Sequence, residues 1–494
     1  MANEVTPITP IKRITITETD LTTAASTEES LDVVYIPGLF GIRAIVKDVD
    51  NFDPNTDGTL DKSKFVVGDV VSDVTNEKAW KCKSVEGEGQ EREVKFVEIA
   101  YVAPAVDPAD DYSEFTMLPP QPCLSVNALA QFGYQYDNGE LGNSFDYAKG
   151  IIEEGLPVLF QCGVKLTGSG SYFYSDATIE ELLEAMEDEH FFDGLLDHNE
   201  ADVKYITTGA HPVVAKTESG NTVTYELNKD IVDNMIKLAA LRGDALAILD
   251  GASEESIKEN NSLYALLLDE YSTGVENGEY ATAFAPCAHF ATSDKSDVIL
   301  PASFAYLTCY ARSIRTNGSN LAIAGVTRGL VSNLSSLDIP ASEKLTNAIA
   351  DSWQGINDKV SVNGITYIRN YGYCIWGNRT LHDNSKETGS NGLIDSSFLS
   401  IRNMLCDLKK RLRNVAVRLL FEQNNDVLWS RFLFGVTPVL ERLKSTAGIA
   451  NYKIIHIPTD DKTKLKAVIK ITTVKPLEQI EIGIVMVDDN VEVQ

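Results

Sequence analysis

Twice in the middle of the chain an amphipathic helix runs into a glycine, and a short apolar strand follows. In "SFDYAKGIIEEGLPVLFQCGV" (144–164) the stop is Gly155; in "KDIVDNMIKLAALRGDALAILDGA" (229–252) it is Gly243. Glycine just past a helix supports the left-handed conformation that ends it. Apolar strands such as "ALAILD", alternating with helices, predict an α/β domain with a mostly parallel sheet.

The flanks read differently. "PIKRITITETD" near the start alternates β-branched and polar residues, a strand pattern at a chain end that is a liability unless something pairs with it. "LDVVYIPGLFGI" (31–42) reads as a buried strand broken by a Pro-Gly turn. Residues 44–120, rich in Asp, Glu, Val and Lys with a Pro-rich exit, read as a small β-rich insertion. "TIEELLEAMEDEHFFDGLLD" (178–197) reads as an acidic helix. "SFLSIRNMLCDLKKRLRNVAVRLLFEQ" (397–423) is a long amphipathic helix with Ile401, Leu405, Leu408, Leu412, Val415 and Leu419 on one stripe. A second helix and three strands, "YKIIHI", "KLKAVIKITTV" and "LEQIEIGIVMVDDNVEV", finish the chain.

With 494 residues, two to four domains are expected. The 43 basic and 72 acidic side chains give a net charge of −29, a field that repels nucleic acid and anionic membranes. The seven cysteines, Cys82, Cys123, Cys162, Cys287, Cys309, Cys374 and Cys406, include no CxxC pair and read as buried reduced thiols. The opening "MANEVTPITP" has neither a basic n-region nor an apolar h-region, so no signal peptide is expected. No apolar run approaches the roughly 18 residues of a membrane span, so a cytoplasmic origin is expected.

Chemistry-bearing motifs are sparse. The sequence has no P-loop, GxGxxG, HExxH or GxSxG. Residues 176–202 hold 11 carboxylates with His190 and His198 and no Lys or Arg; the histidine spacing fits no helical ligand pair, and a solvated helix face is the better reading. "DPNTDGTLDKSK" (53–64) places Asp53, Asn55, Asp57, Gly58 and Asp61 at calcium-loop positions. Lys64 stands where the bidentate Glu belongs, which favours a polar turn. In "GYCIWGNRTL" (372–381) Cys374 and Arg379 tempt a catalytic reading, but no histidine is near in sequence and "YCIW" reads as a buried strand. Residues 401–420 carry Arg402, Lys409, Lys410, Arg411, Arg413 and Arg418 against Asp407 alone. An acidic partner surface or pairing with the chain's own carboxylates would each explain that concentration.

Several stretches, in order, resemble the contractile tail sheath proteins of bacteriophages and related contractile injection systems. They are "ITITETDLTTA" with "YIPGLFG", "CLSVNALAQFGY" with the 144–164 unit, "RGDALAILD", "ILPASFAYLTCYAR", "YGYCIWGNRTL" and "FEQNNDVLWSRF". Asn378 and Gln423 depart from the family pattern at turns, and the match is thin in 44–120. The resemblance implies an α+β, α/β multidomain chain. It would comprise an N-terminal arm (1–20), first core strands (21–43), the insertion (44–120), an α/β domain of subtilisin-like topology (121–384), a C-terminal domain of two helices plus a small sheet completed by neighbouring subunits (385–477), and a C-terminal strand (478–494). It implies a structural, non-enzymatic subunit of the virion tail sheath, assembled in the host bacterial cytoplasm. That subunit forms stacked hexameric rings around an inner tail tube protein and contacts baseplate and tail terminator proteins. No cofactor, metal, direct nucleic-acid contact or membrane insertion is implied. Arg402, Lys409, Lys410, Arg411 and Arg413 become candidates for facing the tube. Ile14, Thr15, Ile16 and Thr17, with Ile480, Glu481, Ile482, Gly483 and Ile484, become candidates for strands exchanged between subunits. A hydrolase on a subtilisin-like scaffold and another self-assembling virion protein, such as a tube or capsid subunit, are the alternatives.

Overall fold

A computed structural model describes residues 32–478, apart from 88–92, 109, 134–143, 220–221, 252–261, 294, 341–343, 355–358, 384–394 and 462. Both candidate exchange strands, 14–17 and 480–484, lie outside the described residues.

Six parallel strands form the body: β1 (Val33–Leu39), β2 (Val158–Val164), β3 (Val203–Ile206), β4 (Leu246–Asp250), β5 (Ala281–Ala285) and β6 (Asn363–Ile368). Their order across the sheet is β6-β5-β4-β3-β1-β2, with antiparallel β7 (Gly372–Trp376) beyond β6. The short strands Thr116–Met117 and Gln121–Cys123 close the other edge against β2. Every residue of β2, β3, β4 and β5 is buried, as a doubly covered sheet requires. Helices α1 (Ser144–Glu153) and α3 (Ala302–Asn317) share one apolar core with Val34, Ile36, Leu246, Ile248 and Phe284. Helix α2 (Lys229–Arg242) shares another with Tyr35, Ala247 and Leu249.

The two helix-glycine-strand units hold as read. Gly243 sits at φ 70° and its N–H closes on the carbonyl of Ala239; Gly155 has φ 93°. The Pro-Gly pair in β1 behaves otherwise: the strand runs through it. The Tyr35 carbonyl accepts from the Thr207 N–H on the β3 side, so alternate residues including Pro37 turn their backbone that way. The paired part of β3 has ended at Ile206, so the N–H that Pro37 lacks falls where no ladder partner needs it. Gly38 is required by packing, since a Cβ there would lie 2.3 Å from Ser144 Oγ and 2.7 Å from the Phe160 ring.

The predicted acidic helix is shorter than its charge run. It spans Ile179–Glu187 behind a Thr178–Glu181 capping box, and a single 3-10 turn, Asp193–Leu195, follows. The β-rich region builds its own six-stranded sheet from Ala44–Val46, Val70–Asp73, Lys78–Glu86 and Glu93–Ile99. Its last two strands, Leu166–Ser169 and Tyr172–Ser175, come from far beyond residue 120. Tyr174 carries that hairpin into the core of the small sheet against Phe65.

The C-terminal unit consists of α4 (Leu399–Val417), α5 (Asp426–Ser445) and a hairpin of β8 (Ile449–Ile457) and β9 (Lys466–Thr473). The stripe read from the sequence packs here. Ile401, Leu405 and Leu408, with Leu412, Val415 and Leu419, meet Phe432, Val436, Val439 and Leu440 of α5. Among the described residues no helix is long and apolar enough to cross a membrane.

Candidate functional site

The strongest concentration of buried charge lies where α4 meets the α/β unit. Residues Leu399–Lys410 are all buried, although only one side of the helix is apolar. The basic side, turned from the leucine stripe, lies on the ends of β3 and β4. Lys204, in the middle of β3, is fully buried. Its ammonium reaches Asp32 at 2.8 Å, Asp407 of α4 at 2.5 Å, and the Tyr310 hydroxyl. Burial alone would push Lys204 down, but the two carboxylates more than offset it and hold its pKa well above the ordinary value. Burial pushes Asp32 up to about 6 despite Lys204. Asp407 is lowered: burial opposes this, and the Lys204 charge and hydrogen bond overcome it.

Beside this cluster runs a second one. Arg413 donates to Asp244 Oδ2 at 2.8 Å, and Arg242 donates to Asp244 Oδ1 at 3.1 Å. Arg242 also donates to the carbonyls of Leu195 and Ala201. His198 Nε2 lies 3.3 Å from the same Asp244. Burial works against the Asp244 carboxylate, yet Arg242 and His198 hold its pKa well below the usual range. Lys410 pairs with Asp202. Lys409 donates to the Tyr280 hydroxyl at 3.1 Å, and the Arg402 guanidinium stacks over the Tyr280 ring at 4.5 Å. Asn403 links Tyr205 and Tyr306.

This geometry bears on the basic helix. Arg402, Lys409 and Lys410 are 2%, 7% and 3% exposed, and Arg413 is paired with a fully buried carboxylate. Arg411 is half-buried and its charge acts on Asp407. In the free chain Lys410 and Arg413 pair with the protein's own carboxylates, and Arg402 and Lys409 lie on Tyr280. Reversing one seam charge places like charges together in a buried site. Arg413→Glu is expected to lower subunit stability by about 2–4 kcal/mol, whereas Lys470→Glu on the exposed hairpin stays within about 0.5 kcal/mol. Thermal unfolding of the two variants checks this.

The other motifs resolve individually. In the 53–64 turn the carboxylates serve their own backbone: Asp53 accepts from the Asn55 N–H, Asp57 from Thr59 and Leu60, and Asp61 from Ser63. Lys64 lies over the Tyr174 ring and toward Asp176. Among the described residues no group of three or more His, Cys, Asp or Glu is arranged to hold a metal ion. Cys374 is fully buried and burial pushes its thiol up, away from the nucleophilic thiolate. The Trp376 ring N–H donates to Asp351 at 2.7 Å. Asn378 exchanges hydrogen bonds with Ser400 and so sets the start of α4.

The carboxyl ends of β1 and β3, where the strand order reverses, are where open α/β sheets commonly bind ligands. Here the protein's own residues fill the place. Ser303 at the start of α3 is fully buried, its N–H on Asp250 at 2.9 Å and its hydroxyl on Tyr147 at 2.8 Å. A Cβ on Gly209 would lie 1.7 Å from the Pro37 carbonyl oxygen. His211 is 2% exposed, lowered to about 4 by burial, and neither ring nitrogen has a partner among the described residues. Serine, aspartate and histidine are all present, yet this serine has no open side for a substrate. Sequence reasoning passed over Lys204, Asp250 and His211. The available signal for the first was a lysine inside the apolar strand "VKYI".

No protein-family model and no curated protein matches the chain. Solved structures do. A chain of the anti-feeding prophage (AFP) baseplate in contracted state is 14% identical, with a TM-score of 0.52, over 96% of this chain and 97% of that one. At that identity the match establishes a shared fold along nearly the whole length. A chain of the 6-fold symmetrised AFP baseplate (12% identical, TM-score 0.48) and one of the AFP helical sheath in contracted state (11%, 0.47) each match over 97% of this chain and 99% of theirs.

Proposed function

We propose that this chain is the structural subunit of a contractile sheath, which stacks as hexameric rings around an inner tube and shortens to drive the tube through a target envelope. The observation that carries the reading is the whole-length fold match to a chain of the AFP baseplate in contracted state. The ordered run of sequence resemblances along the same chain agrees with it. Among the described residues β8 and β9 form a two-stranded sheet with each other. The strand-like runs 14–17 and 480–484 are the proposed strands exchanged between subunits. Subunits joined in this way can re-dock without separating. A gain of about 1–3 kcal/mol per subunit, the usual size of a coupling free energy, summed over many copies drives shortening without a nucleotide.

Tube contact is assigned to the C-terminal unit. Arg442, Lys453, Lys466 and Lys470 are exposed there and suit an acidic tube surface in the free chain better than Arg402, Lys409 and Lys410 do. Inner tube, baseplate and terminator proteins are the proposed partners, and a phage tail or an injection particle the proposed location. Deleting residues 1–20, or 479–494, tests the reading: each deletion is expected to leave a folded subunit that no longer sediments as polymer. Polymer formed at the wild-type level by both deletions would overturn the strand-exchange scheme.

A further inference from the structure

The chain leaves the C-terminal hairpin along residues 474–478, and this stretch returns to the α/β unit. Thr473 Oγ1 donates to Asp395 at 2.6 Å, and Lys475 pairs with the same carboxylate at 3.5 Å. Glu478 then meets Arg379 Nη2 at 2.6 Å. Arg379 belongs to the "GNRTL" stretch after β7, and the fold holds its backbone rigidly. Its N–H donates to Asn363 of β6 at 2.8 Å, and its carbonyl accepts from Thr282 and Asn363. The side chain is 5% exposed, with the guanidinium 5.0 Å from the Phe398 ring. Its Nε and Nη1 are buried and have no acceptor among the described residues. A buried guanidinium that still has unfilled donors favours a carboxylate, whose charge and second oxygen suit it better than a neutral partner.

We propose that Arg379 is a carboxylate socket that anchors the root of the C-terminal segment, with Glu478 as its plug, so that the segment departs from the α/β unit and not directly from the end of β9. The C-terminal unit is then fastened at both ends, by the α4 seam where the chain enters and by this socket where it leaves. Glu478 is 35% exposed, which leaves its side of the contact open to screening by salt. The consequence for assembly rests on the strand-exchange reading above: a fixed root aims the segment at a neighbour. The anchor itself is a property of the free subunit.

Hydrogen exchange on the free full-length protein tests it. Glu478→Gln is expected to speed exchange at the amides of Lys475, Leu477 and residue 478 by about three- to tenfold, the loss of one charge-assisted hydrogen bond. Raising the salt to about 1 M, where screening acts within a few ångströms, should move the wild-type rates toward those of the variant and leave the variant unchanged. Arg379→Gln should give the same local effect, and the double variant no more than either alone. If Arg379→Gln does not fold, the surface variant still decides. Unchanged exchange in Glu478→Gln, or a loss of protection spread over the whole hairpin, would overturn the anchor. Sheath assembly of Glu478→Gln is scored separately, so a failure of strand exchange is distinguishable from a failure of the anchor.

Discussion

Lys204→Met is expected to be among the most damaging single changes in this chain, costing about 3–5 kcal/mol. The substitution leaves Asp32 and Asp407 facing each other in a fully buried site with no cation between them. Removing one member of a buried ion cluster strands the remaining charges, whereas replacing the whole cluster with neutral groups is far milder. The triple variant Lys204→Met, Asp32→Asn, Asp407→Asn should therefore recover most of the loss. Urea unfolding of the purified subunit, followed by hydrogen exchange of α4, measures both. A Lys204→Met protein within about 0.5 kcal/mol of wild type would show that the seam does not hold the C-terminal unit. The site matters because Asp32 immediately precedes β1 and Asp407 lies on α4, so one lysine ties both to β3.

Asp250→Asn should act in the opposite direction. Burial pushes the Asp250 carboxyl up to about 7, against 3.8 ordinarily. The folded chain therefore holds this proton more tightly than the unfolded chain. From about pH 4 to pH 7 the contribution to stability falls as pH rises. Asparagine removes the charge and keeps an oxygen for the Ser303 N–H. The variant is expected to exceed wild type by about 2–4 kcal/mol at pH 8, with the difference closing near pH 4. His211, lowered to about 4 by burial, works the other way: its contribution is lost as pH falls from the ordinary histidine range through 4. It is common to both proteins and cancels in the comparison. Thermal unfolding of the pair across pH 4–8 checks the trend, and a constant difference would contradict it.

What the sequence made legible was local. The glycines at 155 and 243 and the leucine stripe of α4 each depend on residues within a few turns, and they fold as read. The charge on α4 was equally visible, but its partners were not. Lys410 and Asp202 are 208 residues apart, and Lys204 and Asp407 are 203 apart. No periodicity connects such positions, so an excess of basic residues read alone points outward as readily as inward. The same limit explains the β-rich region. Its sheet borrows the 166–175 hairpin across the α/β unit, and only the register shows it. Pro37 and Gly38 misled for another reason: a pair that signals a turn is tolerated in a central strand once its neighbour has ended.

Electron microscopy of the purified full-length protein, alone and with the tube protein from the same source, tests the central claim most directly. Hollow striated cylinders, formed by the subunit itself or templated on the tube, are the expected result. Subunits that stay dispersed under both conditions, while folded and intact, would contradict the sheath assignment.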